Sequence, residues 1–335
     1  MTASRAIGDG IRRVNRAPAV LFGVFVATLL LALPLGLTLG GMIREDLGAS
    51  LMADSAASSI NYDWWQEFRE RARGIGTTFS PEIIGFAAVL SNLSAFVDNQ
   101  RRAVVIAGAG TAYVLLWMFL AGGILDRYAR GAPTRTRGFF AACGVFFFRF
   151  LRLGILAWIA YYVLFRWVHG WLFDDLLEWA TKNMTVERSA FVFRVVLYLL
   201  FGVLLIAVNI VFDYAKVRAV VEDRRSMIGA LLAGARFVGR HAGRATVLYL
   251  LDGVLFVLVV AIYGFVAPGA GAGGIWMWLT FLLGQLYLLA RLWVKLLFYA
   301  SETSLFQGEL AHAEYVAAPE PVWPESPAAE AIQTS

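Results

Sequence analysis

Six long apolar segments limit what this chain can fold into more than any other feature of the sequence. They cover Ala19–Ile43, Ala103–Leu125, Leu153–Leu172, Ala190–Phe212, Ala245–Val266 and Ile275–Ala300. A helix needs about 20 apolar residues to cross the ~30 Å hydrocarbon layer of a bilayer, and each segment is long enough. We therefore expect an all-α fold, a polytopic membrane bundle of six transmembrane helices.

The composition excludes the main alternatives to a helical membrane protein. Hydrophobic residues make up 59% of the 335 residues and charged residues only 16%, and the mean hydropathy is +0.67. A soluble protein could not bury so much apolar surface, because one core stops growing at about 250–300 residues. A β-barrel is disfavoured because its strands alternate apolar and polar residues and contain no long apolar runs.

The distribution of basic residues predicts the orientation in the membrane. With the N-terminus inside, the inner segments hold 17 Lys and Arg residues and the outer segments hold 8. Cytoplasmic loops carry an excess of positive charge, so we expect both termini in the cytoplasm. The first span is longer than the roughly 7–15-residue core of a signal peptide, so we expect an uncleaved anchor. The excess of arginine over lysine indicates a bacterial protein, and hence the cytoplasmic (inner) membrane.

The spans divide the chain into five regions. These are a cytoplasmic tail (1–18), the first transmembrane helix (19–43), an extracytoplasmic helical loop (44–102), a five-helix membrane bundle (103–300) and a largely disordered cytoplasmic tail (301–335). The outer loop has an amphipathic pattern from Asn61 to Gly74 and an apolar pattern over 81–97, the latter after Ser80 as a favourable N-cap. Whether 81–97 is interfacial, re-entrant or spanning stays open.

Two basic cytoplasmic loops, 126–152 and 213–244, resemble each other. Each begins with an aspartate just past a span, in LDRYAR and FDYAKVR, and continues into a half-apolar segment. This pattern predicts an internal two-span repeat. The half-apolar segments, Gly138–Arg152 and Met227–Arg244, are too short or too charged to span, so we expect amphipathic helices that lie in the interface. Their arginines are then placed to contact lipid phosphate: Arg149, Arg152, Arg236 and Arg240.

The loop sequence FDYAKVRAVVEDRRS resembles that of a large, poorly characterised group of bacterial six-span integral membrane proteins. Over roughly Trp117–Ala300, the chain is also similar to the membrane domains attached to some glycerophosphodiester phosphodiesterases. The sequence contains no phosphodiesterase catalytic domain. The resemblance therefore implies a membrane module without a defined chemistry.

Charged residues inside the spans indicate the candidate site. Asp252 in the fifth span and Arg291 in the sixth lie at similar depths from the predicted inner ends of their spans. Charges inside a bilayer are costly and need partners. We expect these two residues to pair, with Asn209 and Gln285 completing an intramembrane polar cluster. Either a salt bridge that fixes helix packing or a proton- or solute-binding site fits this pattern.

The sequence contains no recognisable catalytic or metal-binding motif. The three histidines are far apart, there is one cysteine, and the glycine-rich stretch near residue 270 follows no strand. We therefore expect no enzymatic activity, no metal and no cofactor.

The function we predict is structural, accessory or lipid-interacting. The expected partners are the lipid bilayer, anionic headgroups and a further membrane protein. Nucleic acid is not expected, because the basic residues cluster beside the apolar spans. The alternative is a small-solute or lipid transporter that uses the Asp252/Arg291 cluster.

Overall fold

Within the part of the chain that the structure describes, six helices are long and apolar enough to cross a membrane. The computed structural model describes residues 1–48, 50–58, 61–80, 86–100, 104–267 and 274–312, and these ranges contain no strand. The helices in chain order are α1 (Ala3–Asn15), α2 (Pro18–Gly48), α3 (Ala53–Ser58), α4 (Tyr62–Arg71), α5 (Phe86–Val97), α6 (Val104–Arg130), α7 (Thr136–Val163), α8 (Leu177–Thr181), α9 (Glu187–Val221), α10 (Met227–Arg240), α11 (Ala242–Val266) and α12 (Ile275–His312). The predicted all-α bundle with six spanning helices is confirmed.

The helix α7 corrects one prediction about the first cytoplasmic loop. The segment 138–152 is not a separate interfacial helix, because it runs without a break into the third span. Two π-helical turns, Leu164–Val168 and Trp171–Leu176, then carry the helix into α8. The sequence between Pro133 and Pro268 contains no proline, so nothing stops the helix at the membrane surface. The side chains of Phe146 and Phe150 are buried in protein contacts.

The second half-apolar segment is a separate helix, as expected. Asp223 has a positive φ of 47° and turns the chain after α9. The side chain of Ser226 then caps α10 by accepting a hydrogen bond from the backbone N–H of Gly229. α10 packs against α9, and its buried face is formed by small or apolar residues: Met227, Ala230, Ala233, Gly234 and Phe237.

The two chain ends differ from the prediction because they form part of the core. Residues 1–18 were expected to be a tail, but α1 packs antiparallel along the last turns of α12. Residues 301–312, expected to be disordered, continue α12. The side chains from Ser301 to Phe306 are all buried. The prediction for the C-terminal tail is therefore wrong for 301–312, and residues 313–335 lie outside the described ranges.

Three pairs of described helices pack in the same way at one end of the bundle. In each pair, the last turns of a spanning helix pack antiparallel on the helical segment that precedes another spanning helix: α6 on α7, α9 on α10, and α12 on α1. Glycine allows close approach in each pair. A Cβ on Gly10, for example, would lie 3.0 Å from the backbone nitrogen of Ser301. The pairing extends the predicted two-span repeat to the first and last described helices, α1 and α12, which form the third pair.

The loop after the first span is partly helical. The predicted amphipathic helix is present as α4, and the side chain of Asn61 caps it by accepting a hydrogen bond from the backbone N–H of Trp64. The indole Nε1 of Trp64 donates to Asp46 at 3.0 Å, which ties α4 to the end of α2. The described part of the 81–97 segment, α5, is 12 residues long and shorter than a spanning helix.

Candidate functional site

One side of α12 carries a line of polar and charged residues through the bundle. Arg291, Lys295, Tyr299 and Glu302 follow one another at spacings of three or four residues, so they share one side of the helix. α12 contacts α1, α2, α6, α9 and α11. This central position brings side chains from several helices next to the polar line.

A cavity of about 240 Å³ lies between α6, α7, α9 and α12, and we call it the lysine cavity. Its polar lining consists of Tyr113, Tyr161, Asn209, Asp213, Lys216, Lys295 and Tyr299. Most of the remaining lining is apolar and comes from α6 and α7, including Val114, Met118, Ala121, Leu153 and Ala157. The cavity therefore has a charged side, on α9 and α12, and an apolar side.

Lys295 has aromatic neighbours but no carboxylate partner. Its Nζ lies 3.4 Å from the centroid of the Trp117 ring and donates a hydrogen bond to the hydroxyl of Tyr113 at 3.4 Å. The described residues provide no ion pair for it. Cation–π contacts stabilise an ammonium group by about 0.5–2 kcal/mol, which is less than the cost of removing it from water.

The second lysine of the cavity is already neutralised. Lys216 forms an ion pair with Asp213, one turn earlier on α9, and its Nζ lies 5.4 Å from the ring centroid of Tyr299. Asn209, the predicted cluster residue on α9, accepts a hydrogen bond of 2.5 Å from the hydroxyl of Tyr161. Lys295 therefore differs from Lys216 in forming no ion pair with a carboxylate of the described residues.

Asp252 and Arg291 do not pair, so that prediction is wrong. Asp252 is 0% exposed, and its Oδ2 accepts a hydrogen bond of 2.7 Å from the hydroxyl of Ser301. The guanidinium carbon of Arg291 instead lies 5.8 Å from the ring centroid of Phe256 and 5.4 Å from that of Tyr287. The expected salt bridge is thus replaced by two unrelated sets of contacts.

The error has a simple geometric cause. The depth of Arg291 was measured from a predicted helix end at Ala300, whereas α12 continues to His312. Ser301, which does contact Asp252, lies ten residues beyond Arg291, or about 15 Å along the helix axis. Gln285 precedes Arg291 by six residues on α12, so it lies still farther along this helix from Ser301 and its contact with Asp252. The predicted four-residue cluster is therefore not assembled.

Sequence reasoning missed two buried residues next to Asp252. Glu302 is 2% exposed, and neither of its carboxylate oxygens has a hydrogen-bond partner among the residues that the structure describes. The hydroxyl of Tyr214, on α9, is likewise buried and unpartnered. The signal for Glu302 was hidden because the polar run SETS follows an apolar span and resembles the start of a tail.

The four arginines predicted to contact lipid phosphate fall into two groups. Arg149 is largely buried, and its Nη1 donates to Asp223 at 2.6 Å, so it ties α7 to the turn between α9 and α10. The other three are exposed: Arg152, Arg236 and Arg240. Contact with lipid stays a prediction for these three.

Comparison with known proteins returned no relative. No protein-family model, curated protein or solved structure matches this chain. The resemblance to bacterial six-span membrane proteins therefore stays a prediction, and the function must be argued from the site itself.

Proposed function

We propose that this integral membrane protein binds an anionic amphiphile, with the headgroup of the ligand beside Lys295 in the lysine cavity. The observation that carries the proposal is an ammonium group inside the bundle that forms no ion pair with a carboxylate of the described residues; Asp213, which lines the same cavity, is paired with Lys216. Charged side chains within a membrane region pair with one another or mark the path of a substrate or ion. An anionic headgroup would provide the missing charge.

The two-sided lining of the cavity supports an amphiphile over a small inorganic anion. The headgroup would meet Lys295 and the hydroxyls of Tyr113 and Tyr161, while an alkyl chain would follow the apolar side along α6. Val114 lines this side and is 49% exposed, so the apolar side continues to the outer surface of the bundle. A volume of about 240 Å³ is below the ~300–1,000 Å³ of drug-sized pockets, so it suits a headgroup with part of its chain.

This proposal specifies the lipid-interacting role and leaves transport as the second candidate. The cavity favours transport more than a solid core would, because a carrier needs a binding site within the bundle. The form of transport expected from the sequence, through an Asp252/Arg291 pair, is not supported by the geometry of the site. Binding by Lys295 is common to both roles, so it is the first property to test.

The decisive experiment compares two lysine substitutions in detergent-purified protein. Binding of phosphatidylglycerol, oleate and zwitterionic phosphatidylcholine is measured by native mass spectrometry. Lys295→Gln removes the charge in the cavity, and Lys182→Gln removes an exposed charge after α8 as a matched control. A hydrogen bond to a charged group contributes about 1.5–3 kcal/mol, so Lys295→Gln should weaken anion binding at least about tenfold.

The outcomes of this experiment separate the two sources of negative charge. Binding of phosphatidylglycerol alone assigns a phosphodiester headgroup, and binding of oleate alone assigns a carboxylate. Binding of both assigns a site for either kind of anion. If Lys295→Gln binds both probes as tightly as the parent and Lys182→Gln proteins do, the proposal is overturned.

We also propose that both termini face the cytoplasm of a bacterial cell. The basic loops, α1 and the end of α12 lie at one end of the bundle, which gathers the arginines of all these segments on one side. The exposed Arg152, Arg236 and Arg240 would then meet anionic headgroups at that surface. A reporter fused at residue 320 should read cytoplasmic, and a periplasmic signal would reverse this orientation.

A further inference from the structure

Three helices bring together side chains whose oxygen atoms have no hydrogen-bond partner among the described residues, close enough to act on one another electrostatically. The atoms are Oδ1 of Asp252 on α11, both carboxylate oxygens of Glu302 on α12 and the hydroxyl of Tyr214 on α9. All three side chains are at most 2% exposed. A hydrogen bond also holds Asp252 beside this part of α12, because Asp252 accepts it from Ser301, the residue before Glu302. We call Asp252, Glu302 and Tyr214 the carboxyl site.

Among the described residues that act on this site, no unpaired cation is left to balance the two carboxyl groups. The charged and titratable side chains that act on the site are Asp213 and Lys216 from α9, Tyr249 from α11, and Tyr299 and Glu309 from α12. Lys216, the cation in this set, is already paired with Asp213. On the α1 side, Arg13 is paired with Asp9, which also accepts a hydrogen bond from Ser304, so Arg13 is not free to balance the site.

An ionised carboxylate cannot persist in such surroundings at low cost. Burying a charge without a partner costs several kcal/mol or more, and a buried carboxyl group then takes up a proton instead. A protonated carboxyl group gains a donor, which the unpartnered oxygens nearby can accept. We propose that Asp252 and Glu302 form a proton-binding site that holds at least one proton in the folded protein at neutral pH.

A proton fits this site better than a metal ion. The described residues contain no group of three or more His, Cys, Asp or Glu side chains that could hold a metal ion. Hard divalent cations such as Ca²⁺ require six or more oxygen ligands, and this site offers fewer. The argument for a proton does not depend on what occupies the lysine cavity, so the two proposals can fail separately.

The experiment measures protonated carboxyl groups directly by infrared spectroscopy. A protonated carboxyl group has a C=O stretching band that an ionised carboxylate lacks, and the band shifts when water is exchanged for D₂O. Spectra are recorded at neutral pH on the full chain in lipid nanodiscs, with and without sodium. The variants are Glu302→Gln and Asp252→Asn, each of which replaces one carboxyl group by an uncharged amide of the same shape.

Glu309→Gln provides a matched control on the same helix. Glu309 lies seven residues after Glu302, but it accepts from the N-terminal ammonium group at 2.6 Å and from Arg244 at 2.7 Å, so it is held as a carboxylate. We expect the parent protein to show the protonated band, and Glu302→Gln or Asp252→Asn to lose or shift it. Glu309→Gln should keep the band unchanged.

Three results would overturn the proposal. The first is a parent spectrum without any protonated carboxyl band at neutral pH, and the second is a band that survives both substitutions unchanged. The third is a band that appears only when sodium is removed, which would assign a sodium site instead. If one variant fails to fold, the comparison of the other variant with the parent decides the assignment. For variants that fold, Glu302→Gln should leave the unfolding temperature unchanged or raise it, whereas loss of an ionised partner would lower it.

Discussion

Gly10 offers the sharpest test of how the N-terminal helix is built into the protein. It lies on α1 where this helix crosses α12, and a Cβ at this position would lie 3.0 Å from both Cδ1 of Leu297 and the backbone nitrogen of Ser301. Gly8, on the same helix, has no atom within 4 Å of an added Cβ. Gly10→Ala and Gly8→Ala are therefore the same chemical change in a crowded and an open position.

The expected magnitude follows from two opposing effects. Alanine is favoured over glycine in a helix by about 0.8–1.0 kcal/mol, and both variants gain this contribution. Forcing an extra methyl group against fixed backbone costs about 1–3 kcal/mol, and only Gly10→Ala bears this cost. The two variants should therefore differ in free energy of unfolding by about 1–3 kcal/mol, with Gly8→Ala the more stable protein.

Thermal unfolding in detergent, read out by limited proteolysis within α1, measures this difference. Gly8→Ala should unfold at or above the temperature of the parent protein, and Gly10→Ala should unfold below it and expose α1 to protease earlier. Equal unfolding temperatures for the two variants would refute the packing of α1 on α12. The arrangement of the third helix pair would then be wrong as well.

Two further predictions concern interactions that connect separate helices. Arg149→Gln removes the contact with Asp223 and should lower the free energy of unfolding by about 1–2 kcal/mol, whereas Arg152→Gln, on an exposed position of the same helix, should stay within about 0.5 kcal/mol of the parent in the same unfolding assay. Burial raises the pKa of Asp9, but the hydrogen bond from Ser304 and the charge of Arg13 outweigh burial and hold the pKa below its ordinary value of 3.8. Ionised Asp9 therefore stabilises the folded protein above pH 3.8, and this contribution is lost as the pH falls through the lower, folded-state pKa. Asp9→Asn should accordingly lower the unfolding temperature at neutral pH, and its difference from the parent should shrink in acid.

The spanning helices could be predicted from the sequence because burial in lipid imposes a minimum apolar length. Each predicted span has its counterpart, and the outer helix capped by Asn61 is also present. The ends of the helices could not be predicted in the same way. A helix continues beyond its most apolar stretch without a local signal when it packs against protein, as α7 does before Leu153 and α12 does after Ala300.

The candidate site was missed for a related reason. A polar run such as SETS is interpreted as solvent-exposed unless its tertiary partners are known, and its partners here are α1, at the other end of the sequence, and Asp252 on α11. Asp213 and Lys216 were assigned to a cytoplasmic loop, although their spacing from Asn209 already places all three on one side of a helix. Local patterns therefore located the helices, whereas the contacts between distant segments located the site.

If both proposals hold, the lysine cavity and the carboxyl site are electrostatically coupled. Lys216 lines the cavity, and Glu302 lies close enough to act on it electrostatically. A proton on Glu302 removes a negative charge near the cavity, so it favours an anionic headgroup there, and by reciprocity the bound anion favours the proton. Anion binding by the parent protein should thus tighten as the pH falls, in the native mass spectrometry assay above. Glu302→Gln should bind as tightly as the protonated parent and lose most of this pH dependence. An unchanged pH dependence in Glu302→Gln would show that another group, such as Lys295, carries it and that the two sites act independently.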